Sequence, residues 1–353
     1  MSTNSSNLVS EKAGQRSSAP KLQRPGIQVD KLDVEQNNAW LYPHFVINGK
    51  IYKYVGITKR MHIGKKSVKG KQYYYLEHSF REKDKLMKKE VYLGSEIPKN
   101  IEEIKTNFIY ELMKEKYFDL FENIRKNFSQ ELRTMPASVK EKYLNYFIIK
   151  FTYDSNRIEG STITLKETAK ILEWGISPQN KPVKEIKETE AHQRVFKEMI
   201  DYHKDLSWQI ILKWHQLLLQ HTQPDIAGKV RRHQVKVAGS NAQFPVPAEL
   251  DILLKEFFSW YNQNKEKLHP LGLAALVHLK FVSIHPFSDG NGRISRILMN
   301  FILNQRGYPM LNVKYSNRDS YYNALERAQT KPQEKVFTLH FFRRYLKEYK
   351  KYI

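Results

Sequence analysis

Apolar residues recur at helical spacing along most of the chain after residue 100. Ser138, Thr164 and Ser207 each stand at the start of such a segment and are typical helix N-caps. The pattern therefore predicts a mainly α-helical bundle. The predicted helices lie near residues 101–131, 139–151, 164–174, 182–203, 207–221, 248–264, 269–283, 291–306, 317–329 and 335–350.

The stretch before these helices, residues 32–100, has β-prone runs separated by turn residues. Asn48 and Gly49 stand between two such runs and predict a first hairpin. A second hairpin is predicted from strands near Tyr73–Arg81 and Met87–Leu93, joined by a charged turn. We expect a small β-module. Its tyrosines either pack on the helical part, which is the simpler interpretation, or bind nucleic acid together with its lysines.

These patterns divide the chain into four predicted segments. Residues 1–31 are rich in small and polar residues and are predicted to be a disordered tail. The small β-module takes residues 32–100, and a helical region takes residues 101–205. Residues 206–353 are predicted to form a second helical region, which carries the chemistry described below.

The charge of the chain bears on its partners. Its 353 residues include 59 Lys and Arg against 37 Asp and Glu, a formal net charge of +22. Such a charge favours acidic partners, nucleic acid or anionic surfaces, although scattered helical lysines are usually only solvated. The absence of cysteine excludes disulfides and thiol catalysis. No apolar stretch has the form of an export signal or a membrane span, so we expect a cytoplasmic protein without a membrane partner.

The sequence HPFSDGNGRISR, residues 285–296, concentrates charged and titratable groups at a predicted turn before a helix. Gly290 and Gly292 allow a tight turn and a close approach of the backbone to a ligand. The first N–H groups of the following helix point outward, and its dipole favours an anion there. The segment therefore predicts a nest for phosphate oxygens.

The side chains around this nest fit phosphate chemistry. Arg293 and Arg296 are three residues apart, share one helix face, and carry guanidinium groups suited to phosphate. Asp289 supplies an oxygen ligand of the kind Mg²⁺ uses beside a nucleotide. His285 titrates near neutral pH and can accept a proton from an attacking hydroxyl.

The segment matches every fixed position of HPFx[D/E]GNGRxxR, the motif of the Fic family, so the chain resembles that family. Most Fic enzymes transfer AMP from ATP to a protein hydroxyl. The resemblance implies that His285 deprotonates a Ser, Thr or Tyr hydroxyl of the target and that Asp289 holds Mg²⁺. It further implies that ATP phosphates are bound by Gly290, Asn291, Gly292, Arg293 and Arg296. Gly292 favours AMP transfer over the kinase chemistry of Doc-type relatives.

Two further segments resemble nucleotide-binding parts of Fic proteins. Residues 228–247, GKVRRHQVKVAGSNAQFPVP, predict a hairpin and resemble the Fic flap, which clamps the target segment. Residues 317–329 resemble the helix beside the adenine, although core packing explains its tyrosines equally well. The resemblance implies that seven residues of these segments contact ATP. They are Val237, Ala238, Gly239, Ser240, Tyr321, Tyr322 and Gln329.

SNRIEG, residues 155–160, matches the inhibitory motif [S/T]xxxE[G/N] of class II Fic proteins. Ser155, Glu159 and Gly160 occupy its fixed positions. The resemblance implies that Glu159 forms a charge-assisted fork with Arg296 and occupies the site of the γ-phosphate. Without the downstream motif, the same segment would indicate only a helix end terminated by glycine.

The sequence thus predicts an autoinhibited protein adenylyltransferase that uses ATP and Mg²⁺. Its partner is a protein with a hydroxyl side chain, with self-modification and a homodimer as further expectations. Within the family, the alternatives are removal of AMP and transfer of another nucleotide-linked group. The alternative from another class is a nucleic-acid-binding regulator.

Overall fold

The computed structural model describes residues 44–47, 50–53, 61–82, 85–236, 242–330 and 334–353. Helices dominate these residues, which confirms the predicted mainly α-helical class. The predicted tail, residues 1–31, lies outside the described residues. All described residues fall within one compact unit, His44–Ile353, and the segment boundaries near residues 100 and 206 stay predictions.

Five strands form two antiparallel sheets in the described part of the chain. Strands β1 (His44–Ile47) and β2 (Lys50–Lys53) pair with each other and confirm the first predicted hairpin. Strands β3 (Met61–Val68), β4 (Lys71–Glu82) and β5 (Lys85–Gly94) form a sheet in the order β3-β4-β5. The pairing of β4 with β5 confirms the second predicted hairpin.

Strand β3 was not predicted from the sequence. Its glycine and lysines weaken the β pattern, yet the strand pairs with β4 along its whole length. Gly64 stands inside β3, where a Cβ would overlap the Glu77 carboxylate of β4. The glycine is therefore needed for the close approach of that side chain rather than for a turn.

One face of the three-stranded sheet packs on the helical part. Leu76 and Leu93 form a buried cluster with Phe108 and Leu112, and Tyr74 lies against it. This packing supports the interpretation that the tyrosines of the β-module pack on helices, at least for Tyr74.

Three other tyrosines of the sheet contact one another instead. The ring centres of Tyr75 and Tyr92 are 5.3 Å apart, and Tyr73 lies 6.0 Å from Tyr92. Lys66 lies over the Tyr75 ring but also pairs with the Glu90 carboxylate at 2.7 Å. The lysine nearest to these tyrosines is thus paired with a carboxylate, which reduces its availability to a nucleic acid.

In the described part of the chain, ten α-helices follow the sheet, and nine of them lie close to the predicted ranges. The ten helices are α1 Ile101–Thr134, α2 Ala137–Ile158, α3 Leu165–Trp174, α4 Val183–Asp201, α5 Trp208–Leu219, α6 Leu250–Asn264, α7 Pro270–Ile284, α8 Asn291–Gln305, α9 Arg318–Thr330 and α10 Glu334–Glu348. No helix of the described residues is both long and apolar enough to span a membrane.

Two of the three predicted N-caps are confirmed. Thr164 accepts a hydrogen bond from the Glu167 N–H in a capping box, and Ser207 caps α5 through the Ile210 N–H. The prediction of Ser138 was wrong, because α2 already begins at Ala137 after Pro136. Proline presets the backbone angle there and needs no N–H of its own.

Helix α2 runs to Ile158, seven residues beyond its predicted end at residue 151. Its last two turns bury polar side chains, among them Thr152, Asp154, Ser155 and Asn156. Buried polar residues break the apolar period, so the pattern ended too early. They are buried because this end of the helix lies against α8 and the loop that follows α8, as described below.

Helices α7 and α8 occupy the centre of the bundle. Residues on all sides of both helices are buried, and α8 contacts α2, α4, α5 and α7. Ordinary surface helices are apolar on one side only. Because α8 also buries Asn291, Arg293 and Arg296, the fold places strongly polar groups at the centre, where they require partners.

Candidate active site

His285 ends helix α7 in a left-handed conformation, with φ of 52°. Its Nδ1 lies 3.1 Å from the Val282 carbonyl oxygen. A carbonyl can only accept, so Nδ1 carries the proton in the neutral ring and Nε2 keeps its lone pair. The ring is therefore held in the tautomer that a general base requires.

Arg231 fixes the backbone around this histidine. Its Nε donates to the His285 carbonyl at 2.8 Å, and its other nitrogens donate to the carbonyls of His233 and Pro245. The Arg231 N–H also donates to the Pro286 carbonyl at 3.0 Å. One buried guanidinium thus joins residues 231–245 to the end of α7.

The surroundings of His285 favour the neutral ring. Burial lowers the pKa of His285 below its ordinary value, and the Arg231 charge lowers it further, although the Val282 hydrogen bond raises it. The Phe244 ring lies 4.2 Å from the imidazole and covers it on one side. The imidazole is therefore unprotonated near neutral pH.

The turn between α7 and α8 is held by its asparagine. The Asn291 side chain accepts from the Phe287 N–H at 3.0 Å and donates to the Phe287 carbonyl at 2.8 Å. Gly290 adopts a left-handed φ of 78° directly before α8. The Asn291 amide is thus occupied by the turn, so any phosphate contact of this residue falls to its backbone N–H.

Asp289 projects from the same turn and stays ionised. Burial raises the pKa of Asp289, but the Arg293 charge and hydrogen bonds from Gln223 and the Gly290 N–H lower it more, so it lies below its ordinary value. The Asp289 backbone carbonyl is held by Nε2 of His215 at 3.0 Å. Burial lowers the pKa of His215 to about 4, and its Nδ1 accepts from the Gly228 N–H.

Arg293 lies between two carboxylates. Its NH1 donates to Glu188 of α4 at 3.0 Å, and its NH2 lies 3.3 Å from Asp289 Oδ2. The Arg293 side chain is only 3% exposed. Its guanidinium is therefore fixed beside the first turn of α8, where the helix dipole alone would disfavour a cation.

Arg296 is buried and paired with the end of α2. Its NH2 donates to Glu159 Oε1 at 2.6 Å, while Nε and NH2 also donate to Ser155. Burial lowers the pKa of Arg296, but the Glu159 carboxylate raises it more, so it lies above its ordinary value. One guanidinium nitrogen, NH2, contacts Glu159, so the pair is not a fork; Ser155 accepts from this same nitrogen and from Nε.

Gly292 lies directly under the Glu159 carboxylate. A Cβ at position 292 would overlap Oε1 of Glu159. Glu159 follows α2 and precedes Gly160, whose φ of 101° ends the helix and disfavours other residues. Residues 155–160 thus place a carboxylate over the N-terminus of α8, where an anion is favoured.

These groups surround a single cleft. Its lining comes from the end of α2, the segment after α5 and the turn before α8. The lining residues are Glu159, His233, Gln234, Val235, Lys236, His285, Ser288, Asp289, Gly290, Asn291 and Gly292. An imidazole, two carboxylate groups and the N-terminus of α8 therefore open into one space.

Residues 205–303 match the model of the Fic/DOC family. The match covers α5 to α8 and hence the turn that carries His285 and Asp289. The expected resemblance is confirmed by this match.

Several proteins similar to this chain bear the name "Protein adenylyltransferase Fic". One from Aedes aegypti is 35% identical over 232 residues, covering 64% of this chain and 45% of that protein. One from Drosophila melanogaster is 37% identical over 193 residues, covering 54% of this chain and 38% of that protein. The chain thus aligns with less than half the length of each of these relatives.

Solved structures share the Fic fold. A Fic-domain-containing signaling protein from Bacteroides thetaiotaomicron matches 65% of this chain and 94% of its own, with a TM-score of 0.59 and 26% identity. Fic-1 from C. elegans matches 69% of this chain and 72% of its own, with a TM-score of 0.59 and 24% identity. The second likeness concerns the fold alone.

The three predicted adenine-side residues have different surroundings in the structure. The Tyr321 hydroxyl is buried against His278 Nε2 at 2.9 Å, which agrees with the core alternative. The Tyr322 hydroxyl donates to the Ile158 carbonyl at 3.3 Å, next to Glu159. Gln329 donates to Ser283 on α7 at 3.2 Å. Their contacts with ATP stay predictions.

The predicted flap, residues 228–247, is described only in part. Val237, Ala238, Gly239 and Ser240 lie outside the described residues, so their predicted ATP contacts stay predictions. Residues 228–236 and 242–247 contain no strand, so no hairpin pairing is formed there. Instead, Gln234 bonds the Phe244 carbonyl at 2.8 Å and Arg231 bridges the segment. Among the described residues of this segment, these side chains link its two arms.

Four residues of the site were not predicted from the sequence: Glu188, His215, Gln223 and Arg231. Arg231 stood in the predicted hairpin, where a double arginine usually indicates a solvated face. Glu188, His215 and Gln223 lie in helices or turns far from the motif in sequence. Only the packing of α4 and α5 against α8 brings them to it.

Proposed function

We propose that this chain is a protein adenylyltransferase that transfers AMP from ATP to a Ser, Thr or Tyr hydroxyl of a protein. One observation carries the proposal: the neutral His285, with Nε2 free to accept a proton, faces the cleft that also contains Asp289 and the N-terminus of α8. The activity named for the similar adenylyltransferases supports it.

The chemistry assigns one role to each group. The target hydroxyl oxygen attacks the α-phosphorus, its proton passes to His285 Nε2, and the bond from the α-phosphorus to the bridging oxygen breaks to release pyrophosphate. The N–H groups of Asn291, Gly292 and Arg293 have no partner four residues earlier in α8, so they are available to phosphate oxygens. Catalysis then rests on positioning and on stabilisation of charge.

Asp289 fits a Mg²⁺ ion that is bound together with the nucleotide. The described residues contain no cluster of three or more metal-binding side chains. Mg²⁺ at nucleotide sites commonly uses one or two carboxylates plus substrate phosphates. Asp289 is ionised and its side chain is 42% exposed toward the cleft. When bound there, the ion would neutralise phosphate charge.

Glu159 is proposed to inhibit this activity. Its carboxylate pairs with Arg296 and lies over Gly292, which is the space proposed for the terminal phosphate. An anion already bound at the helix N-terminus opposes a second one. ATP could then bind only in a pose that does not align the α-phosphorus for attack.

The remaining expectations also stand as proposals. The segment after Arg231 would present the target hydroxyl to His285, since Gln234, Val235 and Lys236 line the cleft. Self-modification, a homodimer and a cytoplasmic setting follow from the resemblance and the sequence alone. The nucleic-acid alternative has less support, because two lysines of the β-module, Lys66 and Lys88, are paired with carboxylates.

The test is mass spectrometry of the protein after incubation with ATP and Mg²⁺. We expect an AMP adduct on a hydroxyl side chain in Glu159→Gly and none in His285→Ala. A panel of other nucleotide donors run in parallel identifies transfer of another group. Loss of AMP from an already modified protein, dependent on Glu159, would favour the removal reaction instead.

A further inference from the structure

The site contains more carboxylates than the proposed function uses. Two buried guanidinium groups, of Arg293 and Arg296, face three carboxylates, of Glu159, Asp289 and Glu188. The proposed function assigns Asp289 to the metal and Glu159 to inhibition. The Glu188 carboxylate has no assigned role, although an extra negative charge beside a polyphosphate site is unfavourable to the ligand.

Glu188 is well placed to act on Arg293. It projects from α4, is 16% exposed, and its Oε2 accepts from Arg293 NH1 at 3.0 Å. Lys184, one turn earlier on α4, lies 3.8 Å from its other oxygen and is largely exposed. The strongest contact of the Glu188 carboxylate is therefore with the guanidinium that faces the proposed phosphate site.

We propose that Glu188 sets the affinity of the site for nucleoside polyphosphates by competing with their distal phosphates for Arg293. This inference rests on the proposed function, in which Arg293 binds those phosphates. Glu188 occupies NH1 and also repels phosphate oxygens directly. Both effects act on the β- and γ-phosphates, so Glu188 weakens the binding of ATP more than that of AMP. The same carboxylate pairs again with Arg293 as pyrophosphate leaves, which favours release of the product.

This role differs from that of Glu159. Glu159 belongs to α2, pairs with Arg296 and lies over Gly292, whereas Glu188 belongs to α4 and contacts neither group in the structure. Removal of Glu159 therefore leaves the Glu188 competition in place. The two carboxylates act on different arginines, so Glu188→Gln should still tighten ATP binding in a Glu159→Gly background.

The test is calorimetric titration of ATP and of AMP into the whole chain, comparing wild type with Glu188→Gln. Glutamine keeps an oxygen that accepts from Arg293 NH1, so the substitution removes charge and leaves the positioning contact. Glu198→Gln is the matched control, because Glu198 lies on the same helix and pairs with Lys213 at 2.7 Å, outside the cleft.

We expect Glu188→Gln to lower the Kd for ATP about tenfold and to change the Kd for AMP by less than about twofold. The control should change neither. A merely structural role would weaken ATP binding, so unchanged or weaker ATP binding in Glu188→Gln overturns the inference. If no variant binds ATP, the proposed function fails and the inference fails with it.

Two further variants secure the result. Glu188→Asp withdraws the carboxylate by one methylene and keeps its charge, so it should tighten ATP binding less than Glu188→Gln; it serves if the glutamine variant does not fold. In an Arg293→Gln background, the gain from Glu188→Gln should disappear. A gain that persists without Arg293 would contradict competition for that guanidinium.

Discussion

Replacement of Glu159 by glycine removes a carboxylate from the N-terminus of α8 without disturbing the helix that carries it. Glu159 has φ of −83° and follows the last residue of α2, so glycine fits the backbone. Ser155 continues to hold Arg296 through two hydrogen bonds. The substitution should therefore free one N–H of Arg296 NH2 and the space above Gly292, while the rest of the site stays intact.

The size of the effect follows from the ion pair. Two unit charges 4 Å apart attract by about 4 kcal/mol at an effective dielectric constant of about 20. The Arg296 side chain is 1% exposed but that of Glu159 is 32% exposed, so solvent weakens the attraction. Halving the attraction leaves about 2 kcal/mol. This corresponds to a roughly 30-fold change in the occupancy of the productive ATP pose.

The assay is the initial rate of AMP incorporation at subsaturating ATP for wild type, Glu159→Gly and Glu159→Gln. Glycine should raise the rate about 30-fold by the charge effect alone. Glutamine should raise it less, because it keeps the volume above Gly292. Glu198→Gln, which breaks a surface ion pair, should leave the rate unchanged. Equal rates in wild type and Glu159→Gly, with ATP bound by both, would refute the reasoning.

Three further outcomes follow from contacts at the site. Gly292→Ala should destabilise the wild type by about 1–3 kcal/mol through overlap with Glu159, and clearly less in a Glu159→Gly background, as urea unfolding of the four proteins would show. The pKa of His285 is lowered from 6.5, so the active neutral form persists below that pH. The rate of AMP transfer should therefore stay level down to pH 6.5 and decline only in more acidic buffer. A decline that begins above pH 7 would contradict this. Arg231→Gln should lower the rate at saturating ATP about tenfold or more while the Kd for ATP stays nearly constant. The reason is that Arg231 positions His285 and touches no proposed phosphate site. An equal loss of ATP affinity would argue against that role.

Helix positions were predictable because most helices bury an apolar face and expose a polar one. The predictions from sequence were wrong or incomplete where an element does not follow a regular pattern of apolar and polar residues. Helix α2 continues through Asp154 and Ser155, which are buried and polar because they bind other parts of the fold. Strand β3 was missed because Gly64 and its lysines interrupt the β pattern, although pairing with β4 stabilises it.

The residues of the site could likewise be predicted only where a local sequence pattern marks them. Residues 285–296 are contiguous, so their sequence alone predicts the turn, the helix N-terminus and the base. Glu188, His215 and Arg231 reach the site only through packing, and no local pattern marks them. The Asn291 side chain is occupied by Phe287, a contact that depends on the three-dimensional turn and that spacing cannot reveal.

The most direct test of the proposed AMP transfer compares ATP labelled with ³²P at the α-phosphate and at the γ-phosphate, using Glu159→Gly with and without His285→Ala. AMP transfer predicts protein-bound label from the α-position only, and its loss when His285 is replaced. Label from the γ-position would indicate phosphoryl transfer, and α-label that persists without His285 would remove the proposed base; either result would contradict the account.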